Sequence, residues 1–114
     1  MKIQHWRDVE ALPVAGVPGA TIRWAIDDRD GAPNFALRVI EVPAGQAIQL
    51  HDHPWEHEIF ILAGQGRVQE ETTEAAMQAG DVIFIPSGRR HGFFNQGQDP
   101  LRFICVVPLR AKGG

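Results

Sequence analysis

Glycine and proline recur along this chain at intervals too short for a long helix, and that punctuation constrains the fold more than any other feature. Apolar or alternating runs occupy residues 20–26, 35–42, 48–51, 58–63, 67–70, 82–85, 91–94 and 101–107. Between them lie turn-forming stretches at 27–33, 43–45, 64–66, 86–88 and 95–100, each carrying Gly, Pro or both. Side chains along a strand alternate between two faces, so short runs bounded by turn formers read as strands. No stretch keeps helical periodicity through three turns with caps, and residues 9–12 offer one short helical turn at most. Strands at this spacing predict an all-β sandwich or barrel.

A length of 114 residues predicts one domain spanning 1–114, and an apolar content of 44% is enough for a core. Three tryptophans and six phenylalanines supply much of it. The net charge of −3 comes without a basic stripe, which argues against a nucleic-acid partner. A single cysteine, Cys105, excludes an intrachain disulfide and fits a reducing cytoplasm. The first residues lack an apolar signal core, and no apolar run approaches the ~18 residues of a membrane helix. A cytoplasmic chain with no membrane partner is therefore expected. Residues 112–114 are expected to fray. A small strand-rich domain leaves open edges, which predicts pairing with a second copy as a homodimer.

The chemistry is concentrated in histidine. His51, His53 and His57 fall within seven residues, and His91 follows 34 residues after His57. Neutral imidazole is the commonest metal ligand at physiological pH. Residues two apart on a strand share a face, so His51 and His53 can point together into an interior. Pro54, Trp55 and Glu56 break that strand and let the next one supply His57, while Pro86, Ser87 and Gly88 turn the chain ahead of His91. The four side chains are expected to hold one divalent ion at the mouth of a barrel, walled by Ile, Phe and Val and open to a small molecule. Four imidazoles leave the charge of a dication uncancelled, which favours an anion or a deprotonated water beside it.

Two ordered blocks carry a family resemblance. The first reads Gly45-x5-His51-x-His53-x3-His57-Glu58 and continues to Gly64; the second reads Gly80-x5-Pro86-x-Gly88-x2-His91-x3-Asn95. Spanning 45–64 and 80–95, they resemble the two motifs of the cupins. The second matches at every specified position and the first up to its last ligand. The resemblance implies a double-stranded β-helix, or jelly-roll, barrel. It also implies a bound divalent metal, Mn²⁺ first, with Fe²⁺, Ni²⁺, Zn²⁺ or Cu²⁺ as alternatives. Many cupins use three His and one Glu. The spacing here resembles small bacterial cupins with four histidines, so His57 is the expected fourth ligand, with Glu58 and then Glu56 as the alternatives.

Other residues are weighed around that site. Phe103, Cys105 and Val107 share a face of the last strand; if that face lines the cavity, Cys105 lies near the metal, and otherwise it is a small buried hydrophobe. Phe93 and Phe103 are candidate pocket residues. Arg38, alternating with Ala36 and Ile40, is expected to pair outward, with an anionic ligand as its alternative partner. Asn95 is read as a turn or strand-end hydrogen-bonding residue, Asp81 as structural, His5 as a surface residue, and Arg89 and Arg90 as solvent-facing loop residues, with gating of a substrate carboxylate as their alternative role. No Ser/His/Asp order, phosphate loop or dinucleotide fingerprint is present. The expected function is a metal-dependent oxidoreductase, dioxygenase-like, acting on a small substrate. Two readings stand beside it: a metal-dependent binding or sensory module without turnover, and an isomerase or lyase.

Overall fold

Two antiparallel sheets face each other across a single apolar core. The computed structural model describes residues 1–113. The strands are β1 (Leu12–Pro13), β2 (Thr21–Ile26), β3 (Phe35–Val42), β4 (Ala47–His51), β5 (His57–Ala63), β6 (Gln65–Glu70), β7 (Thr73–Gln78), β8 (Val82–Ile85), β9 (His91–Phe94) and β10 (Leu101–Pro108). One sheet runs β1-β2-β3-β10-β5-β8 and the other β4-β9-β6-β7. The polypeptide crosses between sheets at β3–β4, β4–β5, β5–β6, β7–β8, β8–β9 and β9–β10, which wraps it into a jelly roll. No helix among the described residues is long and apolar enough to cross a membrane.

Strict alternation builds the core. On β10, Leu101, Phe103, Cys105 and Val107 are buried while the residues between them are half exposed. On β5, His57, Ile59 and Ile61 point in and Glu58, Phe60 and Leu62 point out. Met77 and Phe93 meet this face from the opposite sheet, and Phe93 lies 4.9 Å from Phe103, ring to ring. Each fully buried side chain of this kind contributes about 1.5–3 kcal/mol. Phe93 and Phe103 are thus packed into the core. Two glycines let the sheets close: a Cβ at Gly64, whose φ is +85°, would stand 2.5 Å from Pro100 O, and one at Gly66 would collide with Phe94 O.

Asn95 ties the far ends together. Its buried Nδ2 donates to Val42 O and Asp99 O, both at 2.9 Å, and its Oδ1 accepts from Gly97 N at 3.1 Å. Asp81 Oδ2 accepts from Gln78 N at 2.8 Å and shapes the turn into β8.

Several expectations need correction. β7 was not predicted, because Thr73-Glu-Ala-Ala-Met-Gln78 has little strand propensity; its pairing with β6 through a turn at Glu71 (φ 51°) overrides that preference. The helical turn expected at 9–12 is absent; a 3-10 turn lies at Trp6–Asp8 instead, where His5 Nδ1 accepts from Arg7 N. Trp6 stands outside the core, with the guanidiniums of Arg23 and Arg102 at 5.0 and 4.4 Å from its ring. Lys112 is not frayed: it lies in a 3-10 turn and pairs with Asp27 and Asp28 at 2.9 and 2.7 Å. Gly114 lies outside the described residues.

Candidate metal centre

Four histidine rings meet at one end of the barrel. His51 ends β4, His91 opens β9, and the two are cross-strand partners with ring centroids 4.5 Å apart. His53 lies just past β4, in the connecting loop rather than on the strand, yet its ring is 4.8 Å from His51. His57 opens β5; its ring is 4.6 Å from His91 and 5.4 Å from His53. The ligand atoms of His51, His53 and His91 all lie within 4.8 Å of one another, and His57 flanks this trio.

The loop carrying His53 is held from three sides. Trp55 stacks on the His53 ring at 4.7 Å and an interplanar angle of 8°. Gly88 N donates to His53 O at 2.8 Å, so the proline-glycine turn of the second motif clamps the first. Arg110 Nη2 donates to Pro54 O at 2.8 Å. Gly92 lets β4 approach β9 here: a Cβ on it would stand 2.8 Å from Ile48 O.

Backbone carbonyls choose the tautomers. His51 Nδ1 lies 2.8 Å from Gln49 O, and His91 Nδ1 lies 2.9 Å from Arg89 O. A carbonyl can only accept, so each Nδ1 carries the proton and each Nε2 keeps its lone pair. His91 Nε2 and His57 Nε2 are buried and have no hydrogen-bond partner among the described residues. Buried polar atoms are nearly always satisfied, so orphaned ring nitrogens within a cluster of imidazoles fit a bound cation. Burial, reinforced by the neighbouring imidazoles and Arg38, holds His53 down to about 4 and His57 down to about 3, from an ordinary 6.5. Burial also lowers His91, against the opposing effect of the Arg89 carbonyl. His53, His57 and His91 are thereby held in the neutral form that coordination requires.

Glu58 is exposed on the outer face of β5, and Glu56 is exposed in the loop before it. Cys105 lies inside, 2% exposed, with Sγ 3.3 Å from His57 Nδ1. Burial pushes its thiol up, and Arg38 only partly offsets this. Arg38 corrects an expectation. It does not pair outward; it faces inward with Ala36, Ile40 and Val42, and its Nη2 donates to Cys105 Sγ at 2.9 Å. Its guanidinium lies over the Trp24 ring at 5.3 Å. The alternation with Ala36 and Ile40 is the signal for this, and it outweighs the usual preference of Arg for water. Nothing in the sequence announced the stacking of Trp55 on His53. Arg89 pairs loosely with Glu70 at 3.6 Å, and Arg90 and His5 are exposed.

Residues 38–107 match the family model described as Cupin domain, a stretch containing every residue of the histidine cluster. The chain belongs to the cupin family. Among solved cupin structures, the polyketide cyclase RemF from Streptomyces resistomycificus superposes with a TM-score of 0.89 at 36% identity, covering 96% of this chain and 80% of that one. A predicted oxalate decarboxylase from Thermotoga maritima superposes at 0.82 over 95% of this chain and 99% of that one, but at 24% identity it speaks for the fold alone. The curated oxalate-binding protein of Thermotoga maritima is 37% identical over 71 residues, 61% of this chain and 59% of that protein. This cupin thus spans little more than half the length of the curated relatives it matches.

Proposed function

We propose that this cupin is a metal-dependent enzyme that binds a small, oxygen-rich anion at one divalent ion held by His51, His53, His57 and His91. The observation that carries the reading is the pair of buried, unpartnered ring nitrogens, His57 Nε2 and His91 Nε2, within the ring cluster. The cupin resemblance favours Mn²⁺ first, with Fe²⁺, Ni²⁺, Zn²⁺ and Cu²⁺ as alternatives, since ligand type alone does not select among these ions at four imidazoles. Bound there, the ion supplies Lewis-acid polarisation of a substrate oxygen, or electron transfer if it is Mn or Fe. The protein's own residues do the rest. Gln49 O and Arg89 O fix two tautomers, Trp55 fixes the plane of His53, and the core beneath keeps water from that side.

Two observations divide the chemistry. The likeness to RemF, a polyketide cyclase, supports non-redox use of the ion, in the class of lyases and isomerases. An imidazole set also accepts a redox-active ion such as Fe²⁺ or Mn²⁺, and that supports the oxidoreductase use. A binding module without turnover is the remaining reading, supported by the oxalate-binding relative and by the outward placement of Glu56 and Glu58. The one unpaired cysteine supports a cytoplasmic location.

A homodimer belongs to the same reading. Phe60, Leu62, Val82 and Phe84 leave an exposed apolar face on β5 and the edge strand β8, a surface suited to a second copy.

Metal analysis of chain purified without a histidine tag, followed by substrate screening with each metal under air and under nitrogen, tests the proposal. Turnover that continues without dioxygen selects the non-redox use; turnover that consumes dioxygen selects the oxidoreductase. Chain that holds no ion under any loading condition overturns both.

A further inference from the structure

Arg38 carries a charge that the barrel does not balance. The other half-buried arginines among the described residues pair with carboxylates: Arg23 and Arg102 share Glu41, and Arg67 pairs with Glu74. Arg38 has no carboxylate partner, and its Nε is a buried donor with no acceptor. Its hydrogen bond to Cys105 Sγ and its stacking over Trp24 satisfy geometry but not charge. A lysine could shed its proton, whereas a guanidinium cannot, so the half-buried charge favours an anion beside it.

The position of that charge is specific. Cys105 Sγ contacts both Arg38 Nη2 and His57 Nδ1, so the guanidinium lies one side chain from the histidine cluster. The guanidinium is close enough to act electrostatically on both His53 and His57, so an ion on the histidines would have a second positive centre beside it. Guanidinium presents a planar fork of donors that matches a carboxylate, with Nε among the donors still free. The filled core beneath, with Ile40 and Phe103 buried, favours a compact ligand.

We infer that Arg38 is the carboxylate-binding residue of this cupin, holding the carboxylate of a small ligand whose other oxygen reaches the histidine-held ion. This rests on the metal-dependent reading above and assigns its substrate class: small carboxylates carrying a second oxygen donor.

Oxalate is the probe, with neutral oxamide as the charge control, each titrated into the Mn²⁺-loaded full chain. Tryptophan fluorescence reports binding, since Trp24 lies against Arg38 and Trp55 against His53. Metal content and melting temperature are measured alongside. The parent chain is expected to bind oxalate well above oxamide. R38Q should keep its metal and lose oxalate affinity roughly ten- to a hundredfold, with oxamide unaffected. R38K keeps the stem and the charge without the fork; it should fall between the two, and it carries the test if R38Q fails to fold. Equal oxalate affinity in parent and variant, or no oxalate binding by metal-loaded parent, overturns the inference. Should the parent hold no metal, the metal reading fails by itself. The same titrations on metal-free chains then decide Arg38: an Arg38-dependent affinity upholds it, and no difference overturns it.

Discussion

Cys105 Sγ stands 3.3 Å from His57 Nδ1, bridging the adjacent strands β10 and β5. For His57 Nε2 to offer a lone pair, Nδ1 must carry the proton and donate it to sulfur. Arg38 donates to the same sulfur, so in that tautomer Cys105 serves as the acceptor that His51 and His91 find in backbone carbonyls. Cys105 would then be a positioning residue for His57.

Removing that acceptor should loosen His57 without unfolding the barrel. Cys105→Ala strands a buried Nδ1–H and is expected to weaken metal binding roughly ten- to a hundredfold, the usual effect of losing a ligand's supporting hydrogen bond. Cys105→Ser keeps an acceptor and should recover most of the affinity. Competition with a chromogenic chelator measures both; equal affinity in parent and Cys105→Ala would show that sulfur does not orient His57.

The ligand set is open to a direct count. Alanine at His51, His53 or His91 should abolish stoichiometric metal, because each supplies one atom of the compact trio. His57→Ala should reduce it severely, and Glu58→Ala should leave it unchanged, since Glu58 faces out. Metal per chain by mass spectrometry decides. Loss of metal in Glu58→Ala together with retention in His57→Ala would demand three His and one Glu.

How much of this was legible in the sequence differs by residue. His51, His57 and His91 announce themselves through spacing, and alternation on β5 and β10 makes the inward faces readable. β7 did not, because Glu74, Ala75 and Ala76 carry no strand signal and only the β6 partner makes them a strand. Arg38 was legible in position but not in role: its alternation points inward, and the decisive fact, an interior guanidinium without a carboxylate, exists only once the barrel closes. Trp55 on His53 is likewise a product of a loop's path, which no periodicity encodes.

Acid should destabilise the metal-free chain over a defined range. His53 and His57 stay neutral in the fold down to about 4 and about 3, while in the unfolded chain they protonate near 6.5. Below that value the unfolded state binds more protons, so stability falls as pH drops and levels off only near the folded values. Stability is fully present above about pH 6.5. Urea unfolding of metal-free chain between pH 7.5 and 4 should show this decline, and His57→Asn should flatten it. Metal-loaded chain should release its ion over the same fall in pH, since protons and metal compete for each imidazole. Metal retained unchanged in strong acid would mean that imidazoles do not hold it.

The outer apolar face predicts assembly. Val82 and Phe84 lie on the edge strand β8, 77% and 58% exposed. Sedimentation of the parent at micromolar concentration should give a dimer, and a Val82→Lys, Phe84→Lys double variant should give a folded monomer by placing charge in the contact. A parent that sediments only as monomer, or a variant that remains dimeric, removes this face from the assembly.

Asn95 offers a test of the fold independent of the metal. It is 1% exposed, and its side chain makes three hydrogen bonds that join the end of β9 to Val42 on β3 and to the following loop. Asn95→Ala leaves two carbonyls and one N–H without that partner in a buried corner. The cost should be about 2–3 kcal/mol, a fall in melting temperature on the order of 10 °C. Asn95→Asp should be worse, because both amide donors are replaced by a buried charge facing the carbonyls of Val42 and Asp99. Measured by thermal melts of metal-free chain, the two variants should rank in that order. The reverse order would mean that Nδ2 is not the atom that closes the two sheets.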